Sequence, residues 1–425
     1  MARGRAKPEP PLEYRILVTA TLCLLAAGAV MVYSASSARD LLAGHGDGSG
    51  YLERYLAWAA VGLLAMHVLS RRGLDALRRA TPILMAISFA GLVAVLVPGV
   101  GVQVNGAQRW LGAGSLQFQP SELAKLSLVL YAAQLIAARP REIRTLRGMA
   151  SPLLLVAGLA CVLVAAEPDL GTALVIAFTM AALLVAGGVP LRHLVAIAAV
   201  TATAVALFAL VEPYRRARLT AFVNPWADAG GAGFQSVQGQ IALGSGGLLG
   251  VGLGQSVQKV FYLPEAHTDF ILAVIGEELG VAGVCGVLFL YGTIAYAGLR
   301  AARAATGRYA QLVAAGLTSL ILSQATLNAF AVLGLAPLTG VPLPFISYGS
   351  SNLTVLLAAM GLLLNVAAGG ATRLRAADLR GGTRNGRGTP TRAQTALHAQ
   401  ADRDRRRRDR RTRRARAGGG RRAAG

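Results

Sequence analysis

Apolar runs recur along most of the 425 residues, separated by short polar stretches. Several approach the roughly 20 residues that a hydrocarbon core about 30 Å thick requires. Such runs are read as helices, because a membrane barrel would alternate residue by residue. Span one runs from Tyr14 to Tyr33, span two from Tyr55 to Leu69 and span three from Pro82 to Val97. Span four starts at Ser121 and stops before Arg139. Spans five (Pro152 to Ala166) and six (Gly171 to Gly188) are joined by the AEPDLG turn, and span seven covers His193 to Val211. A long loop, Glu212 to Thr268, leads to span eight (Asp269 to Leu299) and span nine (Tyr309 to Leu333). The Pro-rich stretch APLTGVPLPFISYGSSN then precedes span ten (Leu353 to Ala368). The end of span one, YSASSA, is like a signal-peptidase site. Its apolar run exceeds the usual signal core of about 7–15 residues, so it is read as a retained helix.

Composition strengthens this picture. The chain is 54% hydrophobic and only 15% charged, against about a quarter charged in soluble domains. Its net charge of +22 is unevenly placed. From Ala371 onward 18 Arg and 4 Asp give +14, leaving +8 for the rest. A basic segment just after a span suits anionic lipid headgroups, so no nucleic-acid partner is expected. The tail has little that can form a core and is read as disordered. The domain reading is therefore a cytoplasmic segment (1–13), a transmembrane domain (14–369) and an Arg-rich cytoplasmic tail (370–425).

Arg and Lys cluster at the N-terminus, after spans two, four and eight, and at the C-terminus. By the positive-inside rule both termini are cytoplasmic. NGAQRW, EPDLG, HTDF and PLPFISYGSSN then share the outer face, and the loop between spans seven and eight is an outer loop. Arg215, Arg216 and Arg218 in that loop break the charge pattern and suit an anionic ligand. The fold class is thus an all-α polytopic membrane protein of about ten transmembrane helices.

Candidate chemistry concentrates between Gly233 and Gly280, read as a Gly-rich loop entering span eight past Glu265, His267 and Asp269. A carboxylate at the lip of a span is costly and marks a functional site by default. The competing reading is that Thr268 or Asp269 caps the next helix. At about 100° per residue, Glu277 lies some 80° round the helix from Asp269 and Glu278 on the opposite face, so one of the two is expected to pair with another helix. Glu122 and Lys125 are one turn apart at the start of span four, with Ser121 a plausible N-cap. Lys125 lies inside the span and needs a partner. Asp169 fits a helix cap at a tight turn equally well. Trp110 and Phe118 are interface aromatics, which usually anchor. The glycines of GSGGLLGVGLG are not a nucleotide loop, since no GxxxxGKS is present. Irregular backbone or close packing suits them better. Cys23, Cys161 and Cys285 have no metal or disulfide spacing.

Five motifs in order, VYSAS, NGAQRWLGAGSLQFQPSELAKL, EPDLGTALV, GSGGLLGVGLGQSVQKVFYLPEAHTDFILAVIGEELG and PLTGVPLPFISYGSS, resemble the SEDS family of peptidoglycan glycosyltransferases. The resemblance runs from Val18 to Asn365 and is nearer the division-type FtsW branch than the elongation-type RodA branch. It implies about ten helices and polymerisation of lipid II on the outer face of the bacterial cytoplasmic membrane, at the division septum. It implies Asp269 as the catalytic carboxylate. Arg109, Trp110, Glu122, Lys125, Asp169, Lys259, Glu265, His267, Glu278 and Ser347 are its cavity or substrate-binding candidates. It also implies a class B penicillin-binding protein and other division proteins as partners. In SYGSSN, Ser350 replaces a common family glycine and raises the question of a positive φ there. A divalent cation (Mg2+ or Mn2+) is a candidate cofactor, with no metal ligands identified. A lipid flippase and a non-catalytic division scaffold remain alternatives, because intramembrane charges serve transport as well.

Overall fold

A computed structural model describes residues 10–42, 48–104, 107–113, 116–211, 220–260 and 262–385. Contacts divide the chain into two units, 1–371 and 372–425. Among the described residues eight helices are long and apolar enough to cross a membrane, and two shorter apolar helices lie at spans five and seven. The helices are α1 (Leu12–Leu42), α2 (Gly50–Arg71), α3 (Leu74–Leu96), α4 (Pro120–Ala138), α5 (Leu155–Ala166) and α6 (Leu170–Gly187). They continue with α7 (Leu191–Val211), α8 (Phe234–Ser245), α9 (Ile271–Ala304), α10 (Arg308–Val332) and α11 (Ser350–Asn385). The chain is a multi-pass membrane protein. α11 carries its helical backbone past the apolar stretch to Asn385, and the rest of the basic tail lies outside the described residues.

Burial separates the centre from the rim. The apolar windows of α4 and α10 are 67% buried and that of α11 72%, against 22% for α2 and α3. α10 packs on α4, α6 and α9, while α1 lies along α9 and α3 along α4. Helices buried all round in this way carry no strong apolar stripe. Their sequence pattern therefore shows that they span but not which neighbour each one takes.

Two segments correct the sequence reading. The stretch between spans three and four, read only as a polar connection, is an antiparallel sheet of β1 (Val102–Val104), β2 (Ala107–Ala113) and β3 (Leu116–Phe118), in the order β1-β2-β3. Val102 pairs with Trp110 and Leu111 with Phe118. Strands this short leave no readable period of two, and so small a sheet needs support from packing. It finds that support on α3 and α4. The second correction concerns Gly233 to Ser245, read as the start of a Gly-rich loop: Phe234–Ser245 forms α8 and packs on α9. Buried Val237 and Ala242 supply the apolar contact that overrides the low helix propensity of its glycines.

The glycines that follow α8 meet a break in α9. Gly280 has φ 67° and ψ −165°, which interrupts the helix two to three turns from its start. The backbone groups freed there are taken up by the preceding loop. Val251 N donates to Glu277 O (2.9 Å) and Gly252 N to Glu278 O (3.1 Å). Val281 N and Ala282 N donate back to Gly247 O (3.0 Å) and Leu248 O (3.1 Å). Irregular backbone in a membrane protein is tolerated where protein satisfies it in this way. A Cβ on Gly250 would strike the Glu278 carbonyl, so the two backbones meet without side chains between them.

Candidate functional site

The sheet, the α5–α6 turn, the start of α9 and the stretch 336–349 meet at one end of the bundle through named hydrogen bonds. Asp269 stands two residues before α9. The N-cap is Phe270, whose side chain makes no capping bond, so neither Thr268 nor Asp269 occupies the N-cap position. Asp269 is partly exposed. A Cβ on Gly340 would lie 3.3 Å from Asp269 Oδ2, so main chain with φ 67° passes directly beside the carboxylate.

The Asp269 segment is held from two sides. Asn328 of α10 donates from Nδ2 to Asp269 O and to Val341 O, each at 2.8 Å. Ser347 Oγ donates to Thr268 O at 2.6 Å and accepts from Leu343 N at 2.8 Å. Tyr348 N donates to His267 O at 3.0 Å. The rings of Tyr51, His267 and Tyr348 cluster with centroids 4.3–5.7 Å apart. Glu265, at φ 56°, accepts from Thr268 Oγ1 through its own carbonyl (3.0 Å) and through Oε2 (3.1 Å), tightening the turn before Asp269. Ser350 opens α11 and does not take a positive φ. The strained residue of that stretch is Phe345 at φ 66°, buried, with its carbonyl accepting from Tyr55 Oη at 2.6 Å.

Glu122 and Lys125 are buried on α4, and Lys125 Nζ lies 2.9 Å from Glu122 Oε1. Lys125 Nζ also donates to Gln324 Oε1 of α10 at 2.9 Å. Gln324 in turn donates from Nε2 to Pro342 O at 3.0 Å. Glu122 Oε2 has no hydrogen-bond partner among the described residues. The helix starts differently from expectation: Gln119 is the N-cap, Pro120 follows it, and the Ser121 hydroxyl caps nothing. Proline suits that first position because its missing N–H is not needed there.

Arg109 reaches from β2 over the α5–α6 turn. Its Nε donates to Glu167 O at 3.0 Å, its Nη2 donates to Pro168 O, and its Nη1 lies 4.0 Å from Asp169 Oδ1. Asp169 does cap α6, accepting from Thr172 N (3.0 Å) and Thr172 Oγ1 (2.9 Å), and it also accepts from Gln119 Nε2 (3.0 Å). One carboxylate thus serves both the cap and the site. Trp110 is half-buried beside Arg109 on the same strand. Glu167 is fully buried, and both its carboxylate oxygens have no hydrogen-bond partner among the described residues. Burial pushes its pKa up to about 8, the Asp169 charge adds to the rise, and Arg109 opposes it.

Lys259 and Glu278 fall in a second buried cluster. Lys259 Nζ lies 2.7 Å from Glu278 Oε1 and donates to Ser34 Oγ of α1 at 3.0 Å, while Ser34 itself bonds the Glu278 carboxylate. The expected partnership of one of the two glutamates with another helix is this Glu278–α1 contact. Glu277 accepts instead from Ser256 Oγ and from Val257 N (3.0 Å). Arg215, Arg216 and Arg218 lie outside the described residues. Among the described residues no three His, Cys, Asp or Glu side chains converge to hold a metal ion. Sequence reasoning missed Gln324, Asn328, Glu167 and Ser34. Gln324 and Asn328 had a signal, two amides at i and i+4 inside an apolar run.

The chain matches the FtsW/RodA/SpoVE cell cycle protein family over residues 15–371. It is 40% identical over 352 residues to stage V sporulation protein E of Bacillus subtilis (strain 168), covering 83% of this chain and 96% of that protein. It is 42% identical over 357 residues to a probable peptidoglycan glycosyltransferase FtsW of Thioalkalivibrio sulfidiphilus, covering 82% of this chain and 88% of that protein. Among solved structures it is similar to a chain of a peptidoglycan synthase complex that coordinates polymerization and crosslinking (32% identity, TM-score 0.69, 83% of this chain and 96% of that one). It is also similar to the rod shape determining protein RodA of Thermus thermophilus (31% identity, TM-score 0.60, 83% and 95% covered).

Proposed function

Because the chain belongs to the FtsW/RodA/SpoVE family, we propose that it is a peptidoglycan glycosyltransferase that polymerises lipid II on the outer face of the cytoplasmic membrane. The observation that carries this reading is Asp269: a partly exposed carboxylate two residues before α9, outside its N-cap position. Its own carbonyl is fixed by Asn328, and the Gly340 backbone passes beside it. Lipid II presents an α-linked pyrophosphate, and the glycan product is β-1,4. One displacement inverts the anomeric carbon. The acceptor 4-hydroxyl oxygen forms the new bond to C1, and its proton passes to Asp269 as general base. The bond from C1 to the pyrophosphate oxygen breaks, and the lipid pyrophosphate leaves with the electron pair. As in inverting glycosidases, the carboxylate serves as base and does not attack the sugar. The leaving group needs positive charge more than a proton, and Lys125 and Arg109 supply it.

The FtsW-type motifs and the similarity to the synthase complex support a septal role and a class B penicillin-binding protein partner. The test is purified protein with lipid II, scored for glycan chains, alone and with a cognate transpeptidase. Asp269→Asn is expected to abolish chains while leaving expression and membrane insertion unchanged. Wild-type turnover by that variant would overturn Asp269 as the base.

A further inference from the structure

Two amides of α10 join groups that lie far apart in the chain. Gln324 and Asn328 are four residues apart, so they share one face of the helix. Both are buried, at 0% and 2% exposure. At one end of this pair, Gln324 Oε1 accepts from Lys125 Nζ (2.9 Å) while its Nε2 donates to Pro342 O (3.0 Å). At the other end, Asn328 Nδ2 donates to Asp269 O and Val341 O, both at 2.8 Å. Pro342 and Val341 are adjacent, and Gly340 beside them is the residue whose main chain lies against Asp269 Oδ2. A single helical edge therefore holds the Lys125 ammonium, the backbone beside the Asp269 carboxylate, and the carbonyl of Asp269 itself.

Each bond has its direction fixed. Two carbonyl acceptors require the Asn328 amide nitrogen to face them. An ammonium and a carbonyl require Gln324 to present its oxygen to one and its nitrogen to the other. Amides inside an apolar helix are costly unless bonded. Leu or Met would fill both places without that cost, so apolar packing alone does not call for amides here. We infer that Gln324 and Asn328 are positioning residues that set the Asp269 carboxylate relative to the Lys125 ammonium. They act through Asp269 and Lys125 and touch no reacting atom. This inference rests on the reading of Asp269 as the base.

The experiment uses the full-length protein, with its transpeptidase partner if that is required, and lipid II over a range of concentrations. The variants are Asn328→Asp, Asn328→Ser, Gln324→Leu and Asp269→Asn. Asn328→Asp keeps the shape of the side chain but turns an acceptor toward two carbonyls. Asn328→Ser keeps one donor on a shorter arm. Gln324→Leu removes both bonds and keeps the volume roughly. Misplacing a catalytic group by about 1 Å costs about 100-fold in rate. The expected result is a kcat loss of about that size in Asn328→Asp, with KM within threefold of wild type. Asn328→Ser is expected to lose less than Asn328→Asp. Gln324→Leu is expected to fall in kcat while staying monodisperse and melting within a few degrees of wild type. Rates are referred to the folded fraction, measured by size exclusion and thermal melting, so a variant that merely folds poorly is separated from one that is folded and slow. Wild-type kcat per folded molecule in Asn328→Asp and Gln324→Leu, with Asp269→Asn inactive, overturns the positioning role and leaves the base intact. Activity retained by Asp269→Asn overturns the base itself.

Discussion

At the residue scale the described charges of the site are tied to neighbours by specific bonds. Glu122 gives one oxygen to Lys125, and Lys125 gives a second bond to Gln324. Lys125→Met alone leaves a buried carboxylate without its cation, at a cost of about 3–5 kcal/mol. Adding Glu122→Gln removes that charge. The double variant is expected to regain thermal stability and not lipid II polymerisation. Near-wild-type glycan synthesis by it would reduce the pair to scaffold. Glu167 gives a pH-dependent counterpart. The unfolded chain releases its proton near the ordinary value of 4.5, while the folded chain holds it up to about 8. Between those values the folded state binds more protons, so stability falls as pH rises through that window and levels off above it. The full penalty is on the order of 3–5 kcal/mol. Glu167→Gln is expected to flatten the melting temperature against pH across the same window and to raise it at pH 8. A slope unchanged from wild type would contradict a buried acid at this position.

At the element scale the seam between residues 247–252 and 277–282 is made of main chain, and glycine is what lets it close. Gly250 and Gly254 both have φ 81°. A side chain at Gly254 meets open space, whereas one at Gly250 strikes the Glu278 carbonyl. Gly254→Ala is expected to cost only the left-handed penalty, about 1–2 kcal/mol. Gly250→Ala adds about 1–3 kcal/mol of overpacking. Equal losses in thermal melting would argue against the seam. The same seam shows why sequence reading reached as far as it did. Long apolar runs located the spans because length against bilayer thickness is a local property. The motif residues Asp269, Lys125 and Asp169 stood out because charge near hydrocarbon is rare. α8 was hidden because packing on α9 outweighs its glycines, and the sheet because its strands are only three to seven residues long. Glu167 was hidden because its importance lies in what surrounds it, which no local pattern carries, whereas Gln324 and Asn328 left the i, i+4 amide signal without showing what they hold.

At the scale of the whole molecule, the Arg clusters after α2, α4 and α9 sit at the helix ends opposite those that carry Lys125, Asp169 and Asp269. This predicts that both termini are cytoplasmic. A reporter fused after Gly425 is expected to be active only inside the cell, and labelling of that fusion from outside would invert the outer-face assignment. The site itself is discontinuous: Arg109 and Lys125 come from the first third of the chain, and Asn328 and Ser347 from the last. This sets an order of birth on the ribosome. Residues 247–252 are synthesised before the turn at Gly280 exists to receive them. Asp269 is in place before Asn328, Gly340 or Ser347 has been made. The carboxylate is therefore old and its setting new. A nascent chain halted after α9 carries Asp269 without the Asn328 amide or the Gly340 backbone, and those contacts form only as the final helices enter the bilayer.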